Sequence, residues 1–364
     1  MPFGLYLHIP YCLAKCHYCD FYSRGGCKGV PEQYVDALVA QMHKFRENGT
    51  LPSHPDTLYF GGGTPSLLTP AQVKCLIDAA APAQNAEVTL EANPETVTPA
   101  LLEQFLYAGV NRLSLGVQTA SNQSLQTLGR PHTAAQSRAA FADAKRVGFT
   151  NISGDIMMAL PNYSTEEFDQ TLDLIAGGGA THISAYLLKI EENTVFGKRP
   201  PQNLPTEDQA ADFYLYGVEQ LSKAGFAQYE ISNFSRPGFE GKHNLIYWNC
   251  QDYLGLGPAA HSCVKQQRFY WPNGTKPFID RQSEPIPDGV CDGNDYIMLQ
   301  LRLTSGLNLQ KLKQLYQIEF TAKQKRFIAN CQAAGYLLQN GDILSLTPAG
   351  MIIQNTILCE LLSE

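Results

Sequence analysis

Six short apolar runs alternate with segments of helical length in the first half of the chain, and this alternation constrains the fold more than any other feature. The longer segments carry apolar residues at helical spacing, and Ser164 or Thr165 followed by Glu167 is typical of a helix N-terminus. The apolar runs are residues 5–9, 57–60, 87–91, 112–118, 152–158 and 183–187, and the helical segments are 31–48, 70–81, 98–107, 133–147 and 164–176. Strict alternation predicts a parallel α/β sheet. Six such units can curl into a partial (β/α)6 barrel, whose reactive residues gather at the carboxyl ends of the strands.

The pattern changes after about residue 225, first to aromatic and glycine-rich segments and then to a second group of helices. The dipeptide Asn340-Gly341 lies between two apolar runs and indicates a hairpin turn. Helices followed by a hairpin resemble a winged helix, and the helices are predicted near 292–303, 309–317 and 321–334. We expect a partial barrel over 1–225, a connecting segment over 226–289 and a small, mainly helical, winged-helix-like domain over 290–364.

Charge and composition narrow the class of protein. The formal net charge of −7 argues against a nucleic-acid partner, because phosphate binding needs lysine and arginine concentrated on one face. The first residues lack the basic and apolar regions of a signal peptide, and no apolar run has the length of a membrane span. We therefore expect a cytoplasmic protein, in which the ten cysteines are mostly buried thiols or metal ligands.

Three closely spaced cysteines follow the first apolar run. The run CLAKCHYC places Cys12, Cys16 and Cys19 on a loop at the carboxyl end of the first strand. Three thiolates can hold an iron–sulfur cubane and leave one iron without a protein ligand. The alternative is a structural zinc site, which normally takes four protein ligands, and His8 and His17 are candidates for the fourth.

Polar residues also stand at the ends of later apolar runs. The run LYFGGGTPS brings a glycine triplet to the end of the second strand, where backbone can approach a ligand closely. Glu91, Gln118 and Asp155 lie within or at the end of successive apolar runs. Burying such polar side chains in a hydrophobic core is unfavourable. We expect them to meet at one mouth of the sheet, with Arg130 as a partner for a carboxylate.

The cysteine spacing after a first barrel strand resembles that of the radical S-adenosylmethionine (SAM) superfamily. The resemblance implies a [4Fe-4S] cluster on Cys12, Cys16 and Cys19, whose open iron is chelated by SAM and whose electron cleaves SAM to a 5′-deoxyadenosyl radical. Over residues 4–262 the chain is similar to the branch that contains the oxygen-independent coproporphyrinogen III oxidases. This similarity implies that the SAM contacts are Tyr6, Tyr18, Gly62, Gly63, Thr64, Glu91, Gln118, Arg130 and Asp155.

Two departures separate the chain from the true oxidases of that branch. Phe21 stands where the oxidases have a further cysteine, and the first strand begins close to Met1, without their N-terminal extension. The segment HNLIYW is similar to the heme-binding motif of the HemW heme chaperones. The resemblance implies heme contacts at His243, Tyr247 and Trp248, where an imidazole or a phenolic oxygen could bind iron and the indole could lie against the porphyrin.

The sequence therefore predicts a heme chaperone of the radical SAM family, which binds heme, a SAM-chelating cluster and SAM and passes heme to an acceptor protein. The expected partners also include an electron donor protein, and an acceptor associated transiently with a membrane is compatible with this function. Two alternatives remain open: an oxygen-independent coproporphyrinogen III dehydrogenase, and a radical enzyme acting on an unrelated substrate. The sequence does not decide whether the chain is an enzyme, and we assign no catalytic residue.

Overall fold

Six parallel strands in sequence order form the centre of the fold. The computed structural model describes residues 1–362 of the 364. Each strand pairs in parallel with the next along the chain, so the predicted parallel α/β sheet is confirmed. The strands are β1 (Gly4–Ile9), β2 (Thr57–Gly62), β3 (Glu87–Ala92), β4 (Arg112–Gln118), β5 (Ile152–Met158) and β6 (His182–Leu187).

Helices connect these strands at each of the five predicted segments. They are α1 (Glu32–Glu47), α2 (Pro70–Ala80), α3 (Pro99–Ala108), a short α4 (Asn122–Thr127), α5 (Ala134–Val147) and α6 (Thr165–Gly177). Helix α4 was not predicted from the sequence. A side-chain hydrogen bond caps the N-terminus of α6. The Ser164 hydroxyl accepts a hydrogen bond from the Glu167 amide, as predicted. The Glu167 carboxylate instead accepts hydrogen bonds from Thr119 and Ser124, which ties α6 to the segment after β4.

Residues 190–290 add strands at both ends of the six-stranded sheet. The elements are α7 (Val195–Lys198), α8 (Glu207–Lys223), β7 (Ala227–Glu230), β8 (Asn233–Ser235), α9 (Lys242–Trp248), β9 (Tyr253–Leu256), β10 (His261–Val264), β11 (Gln267–Tyr270), α10 (Thr275–Ile279) and β12 (Ile286–Val290). Strand β8 pairs antiparallel with β6, whereas β9 pairs in parallel with β1. Within residues 1–362 the sheet has twelve strands, and its end strands β12 and β7 do not pair with each other, so the barrel is open.

The C-terminal region is mainly helical and carries the predicted hairpin. Its elements are α11 (Gly293–Gln300), β13 (Leu307–Asn308), α12 (Leu309–Tyr316), α13 (Ala322–Ala333), β14 (Leu337–Asn340), β15 (Ile343–Leu346), α14 (Pro348–Ile352) and α15 (Gln354–Leu362). Gly341 has a positive φ of 59° at the turn between β14 and β15, as the Asn-Gly pair predicts. The region boundaries at 226 and 290 stay predictions.

The packing of the sheet directs polar residues to one edge. Leu5, Leu7, Leu58 and Phe60 are fully buried, so the body of β1 and β2 belongs to the core. Because neighbouring parallel strands end at the same edge, the segments that follow β1 to β5 meet there. None of the helices in residues 1–362 is long and apolar enough to cross a membrane.

Candidate functional site

The three clustered cysteines line one cavity at the carboxyl edge of the sheet. Cys12 is buried, Cys16 and Cys19 are half-buried, and all three are free thiols. The loop is held by hydrogen bonds from the Cys12 amide to the Arg24 carbonyl and from the Cys27 amide to the Cys12 carbonyl, each 2.9 Å. Burial raises the pKa of Cys12 and raises that of Cys19 to about 11. These thiols therefore need a cation to become thiolates, which fits an iron–sulfur cluster.

The two histidines considered as zinc ligands have other partners. The His8 ring lies 3.0 Å from the Tyr6 hydroxyl through Nδ1 and 2.8 Å from the Tyr22 carbonyl through Nε2. Nδ1 of His17 lies 2.9 Å from the Thr127 carbonyl. Within residues 1–362 no three histidine, cysteine, aspartate or glutamate side chains are arranged to hold one metal ion.

The glycine triplet at the end of β2 is required by the neighbouring strand. A Cβ on Gly63 would lie 2.7 Å from the Ile9 carbonyl oxygen, and one on Gly62 would lie 2.5 Å from the His8 ring. Gly62 also has a positive φ of 110°, which L side chains rarely adopt. The glycines therefore let the loops after β1 and β2 approach each other, and Gly62, Gly63 and Thr64 come to line the cysteine cavity.

The polar strand ends also reach this cavity. Burial raises the pKa of Glu91 to about 7 and that of Asp155 to about 6. The Glu91 carboxylate accepts hydrogen bonds from the Tyr59 hydroxyl at 2.8 Å and from the Gly62 amide at 3.1 Å. Gln118 adopts a positive φ of 70° and accepts a hydrogen bond from the Tyr186 hydroxyl at 2.9 Å. The expected convergence of Glu91, Gln118 and Asp155 is present.

Arg130 connects this polar wall to the cysteine loop. Its Nη1 lies 3.5 Å from Cys16 Sγ, and its Nη2 donates to Asn93 Oδ1 at 3.0 Å and to the Gly116 carbonyl. Its buried Nε has no hydrogen-bond partner, and leaving a buried donor unpaired is costly. The side chain therefore has a donor left for an anionic group in the cavity, which fits the carboxylate of SAM.

Of the nine residues expected to contact SAM, eight line the cysteine cavity. Tyr18 is among them, while the ninth, Tyr6, lines a neighbouring cavity of about 630 Å³. The two cavities share three wall residues, Phe21, Gly62 and Glu91. A molecule in the larger cavity would therefore lie beside the cysteine loop and the polar wall.

The larger cavity contains part of the HNLIYW segment. Tyr247 and Trp248 line it, but His243 does not. His243 is buried under the segment, with Nδ1 2.6 Å from the Thr57 hydroxyl and Nε2 2.6 Å from the Tyr247 hydroxyl. Burial lowers its pKa to about 3, so the ring is neutral. In this conformation neither ring nitrogen is free to bind iron.

Several wall residues of the larger cavity were missed by sequence reasoning. The sequence predicts no grouping of Cys250, Cys263 and Cys291, yet all three line this wall together with Arg268 and Tyr253. They come from separate segments of the chain, so no local motif could have grouped them. Only the pairing of β9 to β12 brings them to one place.

Comparison with known proteins identifies two matching sequence families. The radical SAM superfamily matches residues 6–175, and the HemN C-terminal domain matches residues 293–353. The chain is 34% identical over 379 residues to the heme chaperone HemW of Mycobacterium tuberculosis, covering 99% of this chain and 95% of that protein. It is also 34% identical over 383 residues to HemW of Escherichia coli strain K12, covering 100% and 99%.

A solved structure shares the fold along nearly the whole chain. The coproporphyrinogen III oxidase HemN from Escherichia coli, a radical SAM enzyme, aligns with a TM-score of 0.82 at 21% sequence identity. The alignment covers 99% of this chain and 90% of the other. This likeness confirms the predicted fold class, an open α/β sheet of the radical SAM type followed by a mainly helical region.

Proposed function

Because this chain belongs to the HemW family of the radical SAM superfamily, we propose that it is a heme chaperone that carries a SAM-chelating [4Fe-4S] cluster. The observation that carries the proposal is the shared wall between two cavities, one containing the three cysteines and the other containing Tyr247 and Trp248. Heme in the larger cavity would lie next to a cluster in the smaller one. Transfer of heme to an acceptor protein is the activity we assign to this arrangement.

The smaller cavity is proposed to hold the cluster and SAM. Cys12, Cys16 and Cys19 would bind three irons, and Arg130 would donate its unpaired Nε–H to the SAM carboxylate. Glu91 and Asp155 would accept hydrogen bonds from SAM hydroxyl or amino groups, and Tyr18 would cover the adenine. Held by these three cysteines and reduced by an electron donor protein, a [4Fe-4S] cluster would supply the one-electron chemistry that can cleave SAM.

The larger cavity is proposed to hold heme. Its volume of about 630 Å³ lies in the range of small-molecule sites, and its aromatic wall suits a flat porphyrin. Trp248 would lie against the porphyrin, and Tyr247 would present its ring while its hydroxyl stays bonded to His243. In this conformation His243 holds Tyr247 in place, and direct ligation by His243 would require it to leave Thr57 and Tyr247.

The proposal extends to partners and location. We propose that the chain works in the cytoplasm, receives electrons from a donor protein and gives heme to a heme-acceptor protein, including an acceptor that it reaches transiently at a membrane surface. The acidic net charge of −7 disfavours nucleic acid as a partner.

An anaerobic heme titration of the cluster-reconstituted protein tests the proposal. We expect saturable absorbance changes at one heme per chain in the wild type. Trp248→Ala should weaken binding about tenfold, because a buried aromatic contact contributes about 1 to 1.5 kcal/mol or more. Tyr107→Ala is the matched control, since Tyr107 is an exposed aromatic on α3.

Two results would contradict the proposal. The absence of saturable heme binding in a wild-type protein with an intact cluster would remove the chaperone function. Conversion of coproporphyrinogen III to protoporphyrinogen IX in anaerobic assays with SAM and reductant would instead assign the dehydrogenase activity.

A further inference from the structure

Three of the ten cysteines meet in the wall of the proposed heme cavity, away from the cluster loop. Cys250 follows α9, Cys263 lies in β10 and Cys291 follows β12, and all three are free thiols. Cys263 and Cys291 are buried, whereas Cys250 is half-buried. The cluster proposed above does not use them, so this second thiol group needs its own explanation.

The antiparallel strands at the end of the sheet bring the three thiols together. Cys263 pairs with Arg268 across β10 and β11, and the Cys291 amide donates to the Gln266 carbonyl at 2.8 Å. The turn between β10 and β11 has positive φ at Lys265 and Gln266, which folds the two strands back tightly. The Cys250 amide donates to the Tyr247 carbonyl at 3.0 Å, which holds Cys250 against the C-terminal end of the HNLIYW helix.

Within this thiol group Cys291 is the residue best prepared to be a thiolate. Hydrogen bonding from the neighbouring Cys250 and Cys263 thiols lowers the pKa of Cys291. Arg268, on the same wall, adds a positive charge that favours the thiolate, although its Nη1 also pairs with Asp295 at 2.9 Å. A thiolate is the form of cysteine that binds iron.

The other donors near this cavity are occupied or less enclosed. Both ring nitrogens of His243 and both of His8 have hydrogen-bond partners. The Tyr247 hydroxyl is bonded to His243, and the His261 side chain is 61% exposed at the outer wall. Cys291 therefore combines burial, access to the cavity and stabilisation of its charged form better than these groups do.

We propose that Cys291 supplies an axial thiolate ligand to the iron of heme bound in the larger cavity, an inference that rests on the proposed heme-binding function. The Cys291 Sγ–H bond breaks and its proton goes to solvent, while a sulfur lone pair forms the Sγ–Fe bond. No electron is transferred, so neither the sulfur nor the iron changes oxidation state. Cys250 and Cys263 act as positioning residues, whose S–H groups donate to the ligating sulfur.

Electron paramagnetic resonance of the ferric heme complex tests this assignment on the cluster-reconstituted protein. The oxidised cubane is diamagnetic, so the spectrum reports heme. We expect the wild type to give the signal of a thiolate-ligated heme, and Cys291→Ser to lose that signal and bind heme about tenfold more weakly. Cys331→Ser should match the wild type, because Cys331 is equally buried but lies in α13, outside the cavity wall.

The possible results show whether this inference fails alone or together with the proposed chaperone function. Heme binding by the wild type without a thiolate signal would overturn the inference while the chaperone function stands, and this result needs no variant. Loss of the thiolate signal in Cys250→Ser or Cys263→Ser but not in Cys291→Ser would also overturn it. No heme binding by the wild type would overturn both.

Discussion

Glu91 shows how its surroundings set the charge of a side chain at this site. The half-buried carboxyl group lies between β2 and β3, where loss of solvent and the nearby Asp155 carboxylate raise its pKa to about 7 despite hydrogen bonds from Tyr59 and Gly62. It also stands in the wall that the two cavities share. Its charge therefore changes close to neutral pH, at the boundary between the proposed SAM and heme sites.

This shift makes a prediction about stability and pH. Between the ordinary pKa of 4.5 and about 7, folded Glu91 holds a proton that the unfolded chain releases. The unfolding free energy of the metal-free wild type should therefore fall as pH rises through this window, relative to Glu91→Gln, which cannot titrate. Urea unfolding of both proteins at a series of pH values measures the difference. A difference that stays constant with pH would contradict the burial argument.

A second prediction at the residue scale concerns the cluster cysteines. Replacing Cys12, Cys16 or Cys19 with alanine removes a thiolate ligand and should abolish the cubane. Iron and sulfide content after anaerobic reconstitution, together with the cluster absorbance, measures the loss. Cys75→Ala is the matched control, because Cys75 is exposed on α2 and should leave the cluster intact. A full cubane in any of the three cluster variants would show that the ligand set is wrong.

At the scale of elements, the HNLIYW helix α9 is held to the sheet by one buried carboxylate. Glu87, at the start of β3, accepts hydrogen bonds from the Lys242 amide at 3.2 Å and the His243 amide at 3.1 Å. Arg112, at the start of β4, is also buried, with its Nε 3.9 Å from the same carboxylate. The position of α9, and hence of Tyr247 and Trp248, depends on a pair at the opposite end of the strands from the cysteine loop.

Glu87→Ala should therefore destabilise the protein and displace α9. The change leaves two backbone amides without their acceptor and the buried Arg112 guanidinium without its counter-charge, which costs about 3 kcal/mol or more. Urea unfolding measures the loss, and the heme titration should show weaker binding. Glu87→Gln keeps an acceptor oxygen and should lose less. Equal stability of Glu87→Ala and the wild type would show that other contacts hold the helix.

At the scale of the whole molecule, the C-terminal region packs against the HNLIYW helix. Arg302 pairs with the fully buried Glu230 at 3.1 Å, and its guanidinium lies 4.3 Å from the centre of a Trp248 ring. Gln300 donates to the Trp248 carbonyl at 2.9 Å. Gln300 at the end of α11 and Arg302 just after it thus contact the residue proposed to lie against porphyrin, and Arg302 also contacts the edge strand β7.

Arg302→Ala should weaken the packing of the C-terminal region against α9 and β7. It leaves the Glu230 carboxylate buried without its cation and removes the contact with Trp248, at an expected cost of about 3 kcal/mol. Urea unfolding measures that cost. Tryptophan fluorescence should change as well, because Trp248 is one of only two tryptophans in the sequence. Arg326→Ala, on the exposed side of α13, is the control, and matching results for the two variants would contradict the argument.

Local patterns in the chain were sufficient for the order of β1 to β6 and the five predicted helices between them, the hairpin at Gly341 and the grouping of Cys12, Cys16 and Cys19. Apolar periodicity, turn chemistry and short cysteine spacing act over a few residues, so they can be interpreted without tertiary contacts. The C-terminal ends of parallel strands also share an edge, which is why the convergence of Glu91, Gln118 and Asp155 could be expected.

Long-range packing decided the remaining features. The sequence could not indicate that His243 would be buried with both ring nitrogens bonded, or that Tyr6 would face the larger cavity, because those outcomes depend on Thr57 and on neighbouring strands. The meeting of Cys250, Cys263 and Cys291 depends on strand pairing between segments up to 41 residues apart. Side chains brought together in this way leave no local pattern in the chain, so only the folded arrangement shows them.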